Sequence, residues 1–98
     1  MSELPSDILG KIEADFGADA ETAAAALRSY AAGGERKEPA RVLRCILRMA
    51  GGDLRRLAEA VDLARIDYRD VIFGAEYDPE TEERIWDGNR PFPPGEGS

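Results

Sequence analysis

The chain has 98 residues, 43% of them hydrophobic and 34% charged, with a formal net charge of −7. That length suits one domain with a modest core, burying about two thirds of its unfolded surface. With no histidine and one cysteine, Cys45, an internal disulfide, a thiolate-only metal site, the common zinc and haem constellations and the usual neutral-pH general base are excluded.

Charge is unevenly spread. Residues 1–34 hold six acids and two bases, 35–56 three acids and seven bases, and 57–98 eleven acids and four bases. The whole chain should be repelled by nucleic acid and by anionic membrane, with only the middle segment as an exception. The opening Met-Ser-Glu-Leu-Pro has no basic segment followed by an apolar run, so no signal peptide is expected. No apolar stretch approaches the ~20 residues that span a bilayer, so no membrane partner is expected and the cytoplasm is the expected location.

The first helix is expected over Asp7 to Phe16, capped by Ser6 and stopped by Gly17, with Ile8, Leu9, Ile12 and Phe16 on one face. The second is expected over Ala20 to Ala32, capped by Asp19 and ended by Gly33-Gly34. Its alanines give helix propensity and little bulk, leaving Leu27 and Tyr30 as packing groups. The third starts at Pro39 and ends at Gly51-Gly52. Its apolar residues from Val42 to Ala50 cover an arc of roughly 200°. Arg41, Arg44 and Arg48 share the remaining stripe, so this helix is the expected centre of the fold.

Asp53 caps a fourth helix extended to Tyr77, about 36 Å long at 1.5 Å per residue. Leu54, Leu57, Val61, Ala64, Tyr68, Val71 and Ala75 form one apolar seam. Leu63, Ile66, Phe73 and Tyr77 form a second face that an ordinary surface helix would not carry. Its cover would be the N-terminal helices, the C-terminal segment or another copy of the chain. Asp78-Pro79-Glu80-Thr81 reads as the start of a short C-terminal helix presenting Ile85 and Trp86. The expected architecture is therefore all-α: a small bundle of four helices, the last one long, plus a short C-terminal helix. Residues 1–88 form the domain, and 89–98 a flexible, disordered Pro/Gly-rich tail.

No catalytic or metal-binding residues and no cofactor are expected. Asp67 and Asp70 lie one turn apart but are interleaved with Arg65 and Arg69, the pattern of a solvated charge lattice. Gly33-Gly34 lacks the Gly-Lys-Ser/Thr ending of a phosphate loop, and Gly51-Gly52 is followed by the repelling Asp53. Cys45, inside an apolar arc, reads as a structural thiol.

The stretch Ala50-Gly51-Gly52-Asp53 followed by Leu57-Ala58, Val61, Leu63 and Arg65 resembles the Fis-type helix-turn-helix. That likeness implies a DNA-binding regulator. It departs from the family at Asp62, in place of the turn glycine, and at Asp67 and Asp70, where the family has threonine and arginine. Gly52-Asp53-Leu54 through Asp67-Tyr68-Arg69-Asp70-Val71-Ile72 to Ala75-Glu76-Tyr77 also resembles a group of small bacterial helical proteins. This second likeness implies a continuous long helix and bacterial cytosol, and it brings no activity. An aromatic often stands in that group where this chain has Gly74.

The functional expectation is a non-enzymatic protein–protein interaction module, its partner unidentified, with a homodimer as one form. Ile66, Phe73 and Tyr77 are the apolar anchors, and Arg69 and Asp70 the polar rim. The alternative is a helix-turn-helix DNA-binding regulator using the Arg-rich segment 36–56, with Arg41, Arg44, Arg48, Arg55 and Arg56 as anion-binding groups. Nucleic acid is the disfavoured partner of the two.

Overall fold

The computed structural model describes residues 4–33, 38–78 and 80–92. Among these the fold is all-α, in the order α1 (Ser6–Phe16), a 3-10 turn (Gly17–Asp19), α2 (Ala20–Ala31), α3 (Pro39–Ala50) and α4 (Leu54–Glu76). An isolated antiparallel bridge joins Tyr77 to Arg84. No described helix is long and apolar enough to cross a membrane.

Local chemistry explains most boundaries. The α1 cap is Pro5 and not Ser6, because the Pro5 carbonyl accepts the Ile8 and Leu9 amides, each at 3.0 Å. Asp19 is the α2 cap position but accepts no side-chain bond there. Asp53 does cap α4, accepting the Arg55 and Arg56 amides at 2.8 and 3.3 Å, which satisfies two donors of the first turn. Gly52 has φ of +83°, and a Cβ there would stand 2.9 Å from the Asp15 carbonyl oxygen. The α3–α4 turn can approach the end of α1 only with glycine at that position.

The core is centred on α3, where Val42, Leu43, Cys45, Ile46, Leu47 and Ala50 are all buried. Ile8, Ile12 and Phe16 pack from α1, Ala23, Ala24, Leu27 and Tyr30 from α2, and Leu57, Val61, Ala64, Val71 and Ala75 from α4. Aliphatic burial of this kind contributes about 25 cal/mol per Å² removed from water.

The expected unbroken rod from Leu54 to Tyr77 is corrected. Asp67 has φ −154° and ψ 100°, outside the helical region, so α4 is two helical segments end to end. Asp67 Oδ1 accepts the Arg69 amide at 3.0 Å, capping the second segment as Asp53 caps the first. Geometry gives the reason. Unbroken, the 23 residues of α4 would run about 34 Å, against about 18 Å for the 12 residues of α3, so half the rod would overshoot its partner. The break returns the second segment to α3. Arg48 Nε donates to the Ala75 carbonyl at 3.0 Å, and the space beside Gly74 is closed by the Met49 side chain.

The expected C-terminal helix is also corrected. Asp78 accepts the Glu80 amide at 2.8 Å through its side chain, but the chain turns back instead of winding on. Glu82 has φ of +59°, the Asp78 amide donates to the Glu83 carbonyl at 2.8 Å, and Ile85 and Trp86 donate to the Glu76 carbonyl. Asp78 thus opens a turn here, since an Asp side chain supports an Asx turn as readily as a helix start. Of the expected tail, Phe92 packs on the fold, and its amide donates to Asp7 Oδ2 at 3.1 Å. Residues 93–98 lie outside the described residues.

Candidate contact face and the buried carboxylate beneath it

The second α4 segment, the start of α3 and the 78–84 turn enclose an open groove of about 530 Å³. Phe73 and Tyr77 stack along one wall with ring centres 5.3 Å apart and planes 10° from parallel. Tyr68, Ile72, Arg69 and Arg41 continue the lining, with Glu38 and Glu82 among the charged groups. Of the anchors expected from sequence, Phe73 (45% exposed) and Tyr77 are in the groove with Arg69. Ile66 is 83% exposed and, like the exposed Asp70, does not line it. Among the described residues nothing fully buries Ile66 or Phe73.

Tyr68 was read from the seam as a core position, and it is only partly buried. The break turns Tyr68 half outward, so it serves both the core and the groove.

Behind the groove lies a group that periodicity did not single out. Glu76 is fully buried, and its carboxylate accepts Arg41 Nε at 2.8 Å and Arg41 Nη2 at 2.7 Å. Arg84 Nη2 stands 3.1 Å from it, and the Gly88 amide donates at 2.9 Å. Desolvation pushes the Glu76 pKa up, but the Arg41 bonds, the Gly88 amide and the Arg84 charge together outweigh it and hold the carboxyl at about 2. The sequence signal was an acid one turn beyond Ile72, on a face that is otherwise apolar. Cys45 donates its thiol to Glu76 Oε2 at 3.7 Å. Burial first, and then the Glu76 charge, push that thiol up to about 12.

The arginines of the alternative reading are largely spent inside the chain. Arg41 serves Glu76 and, at 3.1 Å, Glu38. Arg44, expected on an open stripe, is buried: it grips Asp7 through Nε at 2.8 Å and Nη2 at 3.2 Å, and donates to the Gly88 carbonyl. Arg48 holds the Ala75 carbonyl and stands 5.0 Å from the Trp86 ring centre. Arg55 is exposed beside Glu59 at 3.8 Å, and Arg56 is exposed. Arg36 and Lys37 lie outside the described residues. Asp62, where a helix-turn-helix would turn, has helical geometry, and the segment after the break carries Arg69 against Asp70 and Glu76.

The exposed acids form the expected lattice. Asp67 pairs with Arg69 Nε at 3.2 Å, and Asp62 with Arg65 at 3.6 Å. The Arg69 bonds, side chain first and then backbone, lower the Asp67 pKa. Among the described residues no three His, Cys, Asp or Glu side chains converge as a metal site. No protein-family model, curated protein or solved structure matches the chain.

Proposed function

We propose that this protein is a non-enzymatic protein–protein interaction module whose contact face is the second segment of α4, with self-association as the first complex to seek. The observation that carries this reading is the stacked Phe73–Tyr77 pair facing solvent beside Tyr68 and Ile72, with Ile66 83% exposed nearby. Aromatic anchors within a charged rim suit a contact that buries the rings and leaves Arg69 and Asp70 at the edge. The reading also accounts for the arrangement behind the face: Arg41 and Glu76 fix the second segment against α3, so the anchors sit on a rigid element. The DNA-binding alternative lacks comparable support, because counterion release requires free cations and Arg41, Arg44 and Arg48 are engaged internally.

Sedimentation equilibrium over a range of concentrations tests the proposal. A dimer is expected at high concentration, and Phe73→Ser is expected to weaken it about tenfold or more while leaving the helical circular dichroism signal intact. If the chain stays monomeric, wild-type and Phe73→Ser proteins are cross-linked in host lysate. Identical adduct patterns for the two would sink the contact-face assignment.

A further inference from the structure

A second cleft, separate from the Phe73 groove, opens between α1 and the C-terminal segment. Its volume is about 580 Å³, and its lining includes Lys11, Arg84, Ile85, Trp86, Arg90 and Phe92. Trp86 and Phe92 stack with ring centres 6.0 Å apart and planes 28° from parallel. Arg48 lies 5.0 Å from the Trp86 ring centre and Lys11 Nζ 5.4 Å from that of Phe92. Ile85, 57% exposed, extends the apolar surface.

A count of donors and acceptors shows an imbalance. Arg84 spends only Nη2, on Glu76 at 3.1 Å and Asp87 at 2.9 Å. Its Nε and Nη1 make no hydrogen bond among the described residues. Lys11 has one ion pair, with Asp15 at 3.3 Å, which leaves most of its ammonium donors free. The Arg90 side chain has no ion pair or hydrogen bond among the described residues. Asp87, the acid of the lining, commits Oδ1 to Arg84 and to the Asn89 amide at 2.9 Å. Among the described residues the cleft therefore presents an apolar aromatic floor with uncommitted donors on Lys11, Arg84 and Arg90, against the one uncommitted side-chain acceptor Asp87 Oδ2.

We propose that this cleft binds a small aromatic anion, a flat ring bearing a carboxylate or phosphate. The ring lies on the Trp86–Phe92 surface, where stacking is tolerant of ring identity. The anionic group is held by Arg84 and Arg90, whose planar forks match either oxyanion. The volume is in the range of small-molecule sites, and apolar walls with a few convergent polar groups are their usual make-up. This site is independent of the contact face: no lining residue is shared with the Phe73 groove.

Trp86 is the chain's single tryptophan, so its fluorescence reports the cleft directly. The full chain is titrated with adenosine 5′-monophosphate and with phenylacetate, which separate the phosphate and carboxylate sources. Adenosine and inorganic phosphate serve as the two half-ligands. Saturable quenching is expected from at least one of the two aromatic anions, with a Kd below about 1 mM. The half-ligands are expected to bind at least about tenfold more weakly, since each keeps one anchor. Arg90→Ala, at an exposed position that should leave the melting temperature unchanged, is expected to weaken binding about tenfold. No saturable change with either anion up to about 10 mM, equal binding of a half-ligand, or binding indifferent to Arg90→Ala overturns the proposal.

Discussion

Glu76 ties three parts of the chain together through one side chain: α3 by Arg41, the returning turn by Arg84 and the C-terminal segment by the Gly88 amide. A carboxylate buried this way is neutral only at a cost, because protonation breaks the ion pairs that offset its desolvation. Its folded pKa of about 2 lies below the ordinary 4.5, so the unfolded chain binds the proton first as pH falls. Stability is therefore fully present above about pH 4.5 and lost progressively toward pH 2, by about 3 kcal/mol from this group. Asp7, lowered chiefly by its Arg44 bonds against an opposing desolvation, acts in the same direction. Urea unfolding midpoints measured from pH 7 to 2.5 should stay flat and then fall below about pH 4.5. In Glu76→Gln, which has no carboxyl to titrate there, the fall should be shallower.

The neighbouring thiol offers a second check at the same scale. Cys45 is buried, with its pKa raised to about 12, so almost no thiolate exists near neutrality and none is accessible. In native protein at pH 8 a disulfide reagent should react at least about a hundredfold more slowly than in urea-unfolded protein. Equal rates in the two states would contradict the burial.

At the scale of the element, the break in α4 fixes the sign of a substitution. In an unbroken exposed helix, Asp67→Ala would stabilise, since alanine is the better helix former. With Asp67 capping the second segment through the Arg69 amide, the same change should destabilise by about 1 kcal/mol. Chemical denaturation of the single variant distinguishes the two, because the expected effects are of opposite sign.

This element also shows where the sequence was legible. The seam from Leu57 through Val61, Ala64, Val71 and Ala75 is buried as its spacing predicts, and α3 begins at the expected Pro39 and is stopped at the expected Gly51. The break was hidden because the same seam spacing continues through Asp67, so periodicity carried no trace of a residue leaving the helix. Asp67 was read as one more exposed acid in a lattice, although Asp is equally a cap. The turn at Asp78 failed for the related reason that Asp-Pro supports two local structures, and the bridge from Tyr77 to Arg84 chooses between them. Phe73 and Tyr77 were legible as a second apolar face. The groove was not, because it needs Arg41 and Glu38, distant in sequence, to form its other side.

Across the whole molecule, the arginine-rich middle segment answers acids from both ends of the chain. Arg44 takes Asp7 near the start, and Arg41 takes Glu76 near the close of α4, so the uneven charge pattern is in good part an internal lattice. The C-terminal segment completes that lattice by donating the Gly88 and Phe92 amides to those same two acids. A chain ending at Trp86 loses both amides and the Phe92 partner of Trp86. It should be less stable by about 2–3 kcal/mol, and Cys45 should become measurably reactive under native conditions. Calorimetric melting and thiol titration of that shortened chain read the two effects separately.

Gly88 has a temporal consequence as well. A Cβ at this position would stand 2.8 Å from the Glu76 carboxylate and 2.9 Å from the Cys45 sulfur, so the seal over the interior is bare backbone. During synthesis the helices emerge before the residues that close over them, and until Gly88 arrives the interior acid has a vacant lone pair. A chain stopped short of Gly88 is expected to keep that centre unsealed, and limited proteolysis should cut it faster than the 98-residue chain.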